Sequence, residues 1–259
     1  MPRRALHRLH RRGLAAVTVV ALSLVAPPAS ALTPASGGAR PFAGRVVRLD
    51  AGHDGGNAAQ PARARALVPA GGFRKPCDTT GTSTDSGYAE HAFTFDVVAR
   101  AAALLRAQGA TVVLSRTSYT GFGPCVDRRA AIGNAAHADA AISVHADGAA
   151  ASGRGFHVIA PALAPDGGNA AMLARSYRLA LALRAAFRAG TSEPYATYTA
   201  RQGLIRRSDL AGLNLSRVPT VFIECGNMHN ARDAAQMRDP AWRQRAARAL
   251  VSSLGYLRR

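Results

Sequence analysis

Lysine, acidic residues and aromatic residues are all scarce in this chain. Lys75 is the only lysine among 33 basic residues, and 15 acidic residues leave a formal net charge of +18 that arginine carries. Aromatic residues make up 6% of the sequence, and no stretch interleaves them with basic side chains. Nucleic-acid grooves combine basic residues with stacking aromatics, so nucleic acid is not a predicted partner; a nucleic-acid binder would rest on charge alone.

Internal repeats are absent, and beyond the N-terminus no apolar stretch has the length of about 20 residues that a membrane-spanning helix needs. The chain starts with five arginines, continues with an uncharged apolar stretch from Gly13 to Ala26, and then reads Ala29-Ser30-Ala31. This order predicts a signal peptide over residues 1–31 that is removed on export. The alternative is an uncleaved N-terminal anchor.

The remaining length predicts one domain. Residues 32–43 are rich in Pro, Ala, Ser and Gly and predict a flexible leader, and residues 44–259 suffice for one α/β domain. The N-terminal arginines account for five of the eighteen charges, so the exported part keeps +13. That charge favours anionic wall polymers as partners, although base composition alone could produce it. No oligomerising surface is evident, so a monomer is expected.

Short apolar runs alternate with helical patterns. Runs rich in β-branched residues predict strands at Arg45–Asp50, Thr111–Ser115, Ala140–Val144, Gly155–Ala160 and Thr220–Ile223. Helical spacing predicts helices at Glu90–Gln108, Asp127–Ala138, Ala170–Ala189 (closing at Gly190) and Ala241–Leu257. The segment 54–89 is predicted to be a long functional loop. The alternation predicts a single α/β domain with a mostly parallel central sheet flanked by helices.

Three chemically capable residues, His53, His145 and Glu224, directly follow predicted strands. The carboxyl ends of parallel strands meet at one edge of the sheet, where active sites form. Glu90 opens the first predicted helix, which returns from that edge. Two histidines, a carboxylate and an open position make a catalytic zinc site, so we predict that His53, Glu90 and His145 bind one Zn²⁺. Glu224 is the predicted general base for a metal-activated water.

Each of these residues also has a plainer interpretation. Glu90 could be a favourable charge in the first turn of a helix, and Glu224 a paired carboxylate at a strand end. No His-Glu-x-x-His motif occurs, so a local metalloprotease signature is missing. His157, in the middle of a predicted strand, is a further candidate for donating a hydrogen bond at the site. The convergence of several residues on one edge favours the catalytic interpretation.

The chain has only three cysteines. Cys77 and Cys125 lie in loop-like segments, and outside the cytoplasm two such thiols are expected to form a disulfide. The alternative is that all three thiols are free. Cys225 lies in an apolar strand-like run and is expected to be a buried free thiol.

Four motifs surround the candidate residues. Leu49 to Gly56 contains Asp-Ala-Gly-His-Asp, Glu90 follows Gly-Tyr-Ala, residues 143–147 read Ser-Val-His-Ala-Asp, and residues 219–224 read Pro-Thr-Val-Phe-Ile-Glu. These motifs resemble those of the zinc-dependent N-acetylmuramoyl-L-alanine amidases, with Ala51 in place of the family's proline and Asp54 in place of a glycine. The segments 81–88 and 207–214 and the Pro-Cys pairs resemble the short mycobacterial branch in particular.

The resemblance implies a twisted sheet of about six strands, one zinc ion and hydrolysis of the bond between N-acetylmuramic acid and L-alanine in peptidoglycan or muropeptides. It also implies a secreted protein of the periplasm or cell wall. Arg207 could then pair with a stem-peptide carboxylate, or form a surface salt bridge with Asp209. Two other functions stay open: a non-catalytic peptidoglycan-binding pseudo-enzyme, and another zinc amide hydrolase of the wall.

Overall fold

A six-stranded sheet organises residues 40–258, the part of the chain that the computed structural model describes. The predicted signal peptide and most of the predicted leader lie outside the described residues. The strands are β1 (Val46–Ala51), β2 (Leu67–Pro69), β3 (Arg74–Pro76), β4 (Thr111–Leu114), β5 (Ala140–Asp147), β6 (His157–Pro161), β7 (Leu204–Arg207) and β8 (Thr220–Asn227). The helices are α1 (Pro61–Arg65), α2 (Glu90–Ala107), α3 (Val126–Ala135), α4 (Leu173–Thr191), α5 (Ala211–Asn214), α6 (Ala231–Arg238) and α7 (Pro240–Ser253).

The strand order in the sheet is β4-β1-β5-β8-β6-β7, while β2 and β3 form a separate antiparallel hairpin. Strands β4, β1, β5 and β8 are parallel to one another. Strand β6 is antiparallel to β8, and β7 is parallel to β6. The predicted single α/β domain with a mostly parallel sheet of about six strands is confirmed. Because β6 runs in the reverse direction, its first residues lie beside the last residues of β8.

One face of the sheet packs against α2 and α4, and α7 packs on both of these helices. In β5 every second side chain is buried in this core, namely Ala140, Ile142, Val144 and Ala146. Successive side chains of a strand point to opposite faces. The intervening residues of β5, including Ser143 and His145, therefore point to the other face, which lies towards α5 and the hairpin. None of the helices among residues 40–258 is both long and apolar enough to cross a bilayer.

Several predicted boundaries are wrong, and two of them bear on the site. Strands β5 and β8 continue to Asp147 and Asn227, so His145 and Glu224 lie within strands and do not follow them. His157 is the first residue of β6 and is not in the middle of a strand. Strand β7 was not predicted, because its Leu-Ile-Arg-Arg sequence has only two apolar residues.

Two other corrections concern α4 and the segment 54–89. Helix α4 passes through Gly190 and ends at Thr191, and Ser192 adopts the left-handed conformation that stops it. A Cβ at Gly190 would lie 3.0 Å from the Cβ of Ala249, so this glycine permits close packing of α4 on α7. The segment 54–89 is not one loop, since it contains α1 and the β2–β3 hairpin.

Candidate active site

Three side chains from three different elements meet in one cluster. His53 follows β1, Glu90 is the first residue of α2, and His145 lies in β5. Their potential ligand atoms lie within 4.8 Å of one another. Glu90 Oε2 is 3.3 Å from His53 Nε2, and Glu90 Oε1 is 3.0 Å from His145 Nδ1. The structure thus brings together the three residues that the sequence predicts as metal ligands.

Glycines let the backbone approach this cluster closely. A Cβ at Gly52 would lie 2.2 Å from His145 Cε1, and a Cβ at Gly81 would lie 2.7 Å from Glu90 Oε2. Gly81 also has a φ of +72°, which L side chains rarely adopt. Any larger residue at either position would displace a side chain of the cluster.

The His53 ring is oriented by oxygen atoms on the side away from Glu90. Its Nδ1 lies 3.0 Å from the carbonyl oxygen of Thr79, 3.2 Å from Thr79 Oγ1 and 3.4 Å from Asp78 Oδ1. A carbonyl oxygen can only accept, so the proton of the neutral ring belongs on Nδ1. The lone pair of Nε2 then points towards Glu90, where a cation could be bound.

The Glu90 carboxylate is held by two backbone amides. Thr82 N donates to Oε2 at 3.0 Å, and Ala146 N donates to Oε1 at 3.1 Å. The His145 ring stacks on Phe222, with ring centroids 5.3 Å apart and an interplanar angle of 6°. Both ligand candidates are therefore fixed in orientation by groups that do not themselves bind metal.

The electrostatic field at the cluster favours positive charge. Burial lowers the pKa of His53, but Glu90 and Asp78 outweigh burial and raise it to about 10. Burial raises the pKa of Glu90, but His53 and His145 outweigh burial and hold it below its usual range. Both shifts indicate a site that stabilises a cation between these side chains.

The donor set fits a zinc ion. Imidazole nitrogens and a carboxylate oxygen are the ligands of catalytic zinc sites, which leave one position open for water or substrate. Glu90 is 3% exposed, and among residues 40–258 its only ion-pair partners are the two histidines. A bound divalent cation would supply the counter-charge that this buried carboxylate needs.

Glu224 lies beside the cluster in a row of paired residues. It pairs with His145 across β5–β8 and with His157 across β6–β8. Paired residues on neighbouring strands point to the same face, so the three side chains form one line across the sheet. Burial, Asp147 and Glu90 together raise the pKa of Glu224 well above its ordinary value. A cation at the cluster would lower that pKa again and favour the carboxylate.

His157 is 3% exposed and closes this row on the far side of Glu224. Its Nδ1 lies 3.7 Å from Asp147 Oδ2, and the Tyr198 hydroxyl donates to the same oxygen at 3.0 Å. Burial lowers the pKa of His157. The ring therefore favours its neutral form, which can still donate one hydrogen bond.

The predicted alternatives for Arg207 are partly resolved. Its guanidinium donates two hydrogen bonds to Asp209, from Nε at 2.8 Å and from Nη2 at 2.6 Å. Both side chains are exposed, at 38% and 56%. The charge of Arg207 also lowers the pKa of Glu224, which places the guanidinium within electrostatic reach of the row. The salt bridge with Asp209 exists, and a role in binding substrate stays a prediction.

A cavity of about 170 Å³ adjoins the two histidines. Its walls are largely apolar, and Pro76, Val126, Leu210 and Phe222 contribute to them. Lys75, the single lysine, lines it too and donates from Nζ to the carbonyl oxygen of Asp209 at 2.7 Å. A small substrate group next to the three candidate metal ligands could enter this space.

The disulfide expectation is confirmed, because Cys77 and Cys125 are bonded, and Cys225 is a buried free thiol.

Sequence patterns did not reveal the residues that support the cluster, among them Asp78 and Arg129. Both belong to segments without a recognised motif. The only available signal was their proximity to the two paired cysteines.

Comparison with known proteins identifies a family. A family model described as N-acetylmuramoyl-L-alanine amidase matches residues 47–256. The N-acetylmuramoyl-L-alanine amidase Rv3717 of Mycobacterium tuberculosis is 44% identical over 245 residues, which cover 93% of this chain and 95% of that protein.

Solved structures agree with this match. The crystal structure of the N-acetylmuramyl-L-alanine amidase Ami1 from Mycobacterium smegmatis has a TM-score of 0.77 and 41% identity, covering 83% of this chain and 97% of that one. The amidase AmiC2 of Nostoc punctiforme has a TM-score of 0.62 at 20% identity, covering 82% and 97%. At that identity the second similarity supports the fold alone.

Proposed function

Since the chain belongs to the N-acetylmuramoyl-L-alanine amidase family, we propose that it hydrolyses the amide bond between N-acetylmuramic acid and L-alanine of the peptidoglycan stem peptide. The reaction would use one zinc ion, with Glu224 as the general base. The observation that carries the proposal is the cluster of His53, Glu90 and His145. Glu224 lies next to it, paired in register with His145.

The three candidate ligands would hold a zinc ion that activates water and the substrate carbonyl. When bound, zinc lowers the pKa of a coordinated water towards about 7 and polarises a carbonyl oxygen. His53 offers Nε2 because the Thr79 carbonyl fixes its Nδ1 proton. Glu90 supplies the negative charge that compensates the metal, and its two backbone donors keep it in place.

Glu224 is suited to move a proton between water and the leaving nitrogen. A half-buried carboxylate beside a cation can accept a proton and release it again within one turnover. Glu224 has the required mixed environment, since burial and Asp147 favour its protonated form while His53 and Arg207 favour the carboxylate. It would take a proton from the attacking water and deliver it to the L-alanine nitrogen.

Two further side chains are proposed to bind the substrate. His157 stands next to Glu224 and can donate a hydrogen bond to the polar groups around the scissile amide. Arg207 can exchange its exposed bond to Asp209 for a carboxylate of the stem peptide. Exposed salt bridges contribute about 0–1 kcal/mol, so the exchange costs little.

Export to the periplasm or cell wall is the proposed location. The arrangement of residues 1–31 is typical of a signal peptide. The Cys77–Cys125 disulfide fits an oxidising compartment, where peptidoglycan also lies. Residues 44–259 would form the mature catalytic domain. We also propose that the protein is a monomer.

The two other functions differ in what they need. A non-catalytic peptidoglycan binder would not need Glu224 beside three potential ligands. Another zinc amide hydrolase, such as a deacetylase or carboxypeptidase, would release acetate or D-alanine from wall fragments. The products of the reaction therefore separate all three.

The test is to incubate the purified mature protein with muramyl dipeptide and with a disaccharide-pentapeptide that ends in D-alanine, and to identify the products by mass spectrometry. We expect a free lactyl carboxylate on the sugar and a peptide with a free L-alanine amine. Chelation should stop the release, and added zinc should restore it. Acetate or D-alanine as product, or intact substrate with folded and zinc-loaded protein, would contradict the proposal.

A further inference from the structure

Arg129 is a buried arginine, and all three of its guanidinium nitrogens donate hydrogen bonds to groups near the candidate metal ligands. It is 4% exposed and lies in α3. Nη1 donates to Asp50 Oδ1 at 2.9 Å and to the Ala51 carbonyl at 2.7 Å. Nη2 donates to the His53 carbonyl at 3.1 Å and to Asp78 Oδ2 at 3.0 Å. The remaining donor, Nε, bonds to the Pro124 carbonyl at 2.8 Å.

These hydrogen bonds fix both the backbone and the imidazole ring of His53. The backbone of His53 has a φ of +58°, a conformation that strains a residue with a side chain and persists only when its surroundings enforce it. Arg129 holds its carbonyl. Arg129 also holds Asp78, whose other oxygen lies 3.4 Å from His53 Nδ1. The backbone amide of Thr79 donates to that same Asp78 oxygen at 2.8 Å, so the ring contacts one connected unit.

The Cys77–Cys125 disulfide connects the two halves of this unit. Cys77 immediately precedes Asp78, and Cys125 is the N-cap residue of α3. Arg129 N donates to the Cys125 carbonyl at 2.9 Å, and Val126 N donates to the Cys77 carbonyl at 2.7 Å. The bond thus joins the segment that presents Asp78 to the first turn of the helix that presents Arg129.

We propose that Asp78 and Arg129 are positioning residues for the metal ligand His53, and that the Cys77–Cys125 disulfide is coupled to metal affinity through them. The inference rests on the proposed metal centre. Groups that hydrogen-bond to a metal-binding histidine fix its tautomer and orientation, and their loss commonly costs about 10–100-fold in metal affinity. Without the disulfide, Asp78 and Arg129 would be held together by hydrogen bonds alone.

The first experiment measures zinc affinity by competition with a chromophoric chelator. We expect Asp78→Asn and Arg129→Lys to weaken zinc binding by about tenfold or more. Asp96→Asn is the matched control, because Asp96 also bonds two arginines, Arg100 and Arg243, but lies outside the unit around His53. Zinc affinity of folded Asp78→Asn equal to that of Asp96→Asn would overturn the proposal.

A positional effect must be separated from a general loss of stability. The visible absorption of Co²⁺ bound in place of zinc reports ligand geometry, and we expect it to change in Asp78→Asn and to stay unchanged in Asp96→Asn. Thermal unfolding of the metal-free proteins gives the stability of each variant independently. Weaker zinc binding that merely parallels the loss of metal-free stability, with an unchanged cobalt spectrum, would also overturn the proposal.

The second experiment is a double-mutant cycle between the disulfide and Asp78. The variant with both Cys77→Ser and Cys125→Ser should bind zinc more weakly than the native protein. Asp78→Asn should then weaken zinc binding less in this background than in the native one, because Asp78 is already poorly held. Equal effects in both backgrounds would refute the coupling. If the native protein itself binds no zinc, the proposed metal centre fails, and that outcome is distinct from the failure of either variant test.

Discussion

At the scale of single residues, the ligand cluster depends on glycines as much as on its charged side chains. Gly81 and Gly87 flank the segment that leads into α2, and both have positive φ, +72° and +83°. A Cβ at Gly81 would lie 2.7 Å from Glu90 Oε2 and 2.8 Å from His53 Cδ2, whereas a Cβ at Gly87 would meet nothing within 4 Å. A residue with a side chain would strain the backbone at both positions, but only at Gly81 would its Cβ touch the ligand cluster.

We therefore expect Gly81→Ala to reduce zinc affinity by about tenfold or more, because the new methyl group displaces two ligands. Gly87→Ala is the control and should cost similar folding stability, about 1–2 kcal/mol for the left-handed backbone, with zinc affinity unchanged. Chelator competition and thermal unfolding measure the two effects. Equal zinc affinities in the two variants would contradict this account of Gly81.

The catalytic candidates could be predicted from sequence, because they belong to recognisable motifs. The residues that hold them in position could not. His53, His145 and Glu224 are identifiable because each directly follows a predicted strand, and Glu90 because it opens a predicted helix. Arg129 and His53, which are in contact, are 76 positions apart in the chain. No periodicity or local spacing encodes a contact of that kind, since it depends on the packing of α3 against the sheet.

At the scale of secondary-structure elements, the sheet was predictable in type but not in extent. The predicted ends of β5 and β8 stopped at the last apolar residue, before His145 and Glu224. The real strands continue because polar side chains on the cleft face alternate with buried ones, such as Ala146 and Cys225. Hydrophobic runs therefore mark the strand core but miss functional residues that alternate with it. The reversal of β6, which brings His157 to Glu224, had no sequence signal.

Two buried carboxylates, Glu193 and Asp233, share one arginine partner. Glu193, after the end of α4, and Asp233 of α6 both contact Arg154, at 3.3 and 3.2 Å. Burial, then the charge of Asp233, raises the pKa of Glu193 to about 7. A raised folded-state pKa means that the folded protein binds this proton more tightly than the unfolded chain. The resulting stability is present in acid and is lost as pH rises towards 7.

We expect Glu193→Gln, which imitates the protonated acid, to become more stable relative to the native protein as pH rises from about 5 to about 8. Denaturant unfolding at several pH values measures the difference in free energy of unfolding. Asp166→Asn, which removes an exposed carboxylate, is the control and should show a constant difference. A constant difference for Glu193→Gln as well would mean that this carboxyl titrates normally.

At the scale of the whole molecule, the charge is one-sided. The predicted exported part carries +13, and α4 and α7 contain seven arginines and no acidic residue. The exposed Arg175, Arg178 and Arg188 of α4 form no ion pair with any of the described residues. Such a surface attracts anionic polymers, and salt screens the attraction over about 10 Å at 0.1 M.

Binding to intact cell wall should therefore weaken steeply as salt is raised, while hydrolysis of muramyl dipeptide should change little, because the cleft chemistry depends on short-range contacts. Sedimentation with purified wall measures the first, and product release measures the second. Wall binding that is insensitive to salt would exclude electrostatic attraction as the means of targeting.

We propose that one zinc ion is bound by His53, Glu90 and His145 and that Glu224 transfers the proton. The most direct measurement compares bound zinc with release of peptide from muramyl dipeptide, in the native protein and in Glu224→Gln. We predict one zinc per chain in both proteins and peptide release only in the native one. Undiminished release by Glu224→Gln would exclude Glu224 as the proton-transfer group, and full activity of native protein freed of zinc would exclude the metal mechanism.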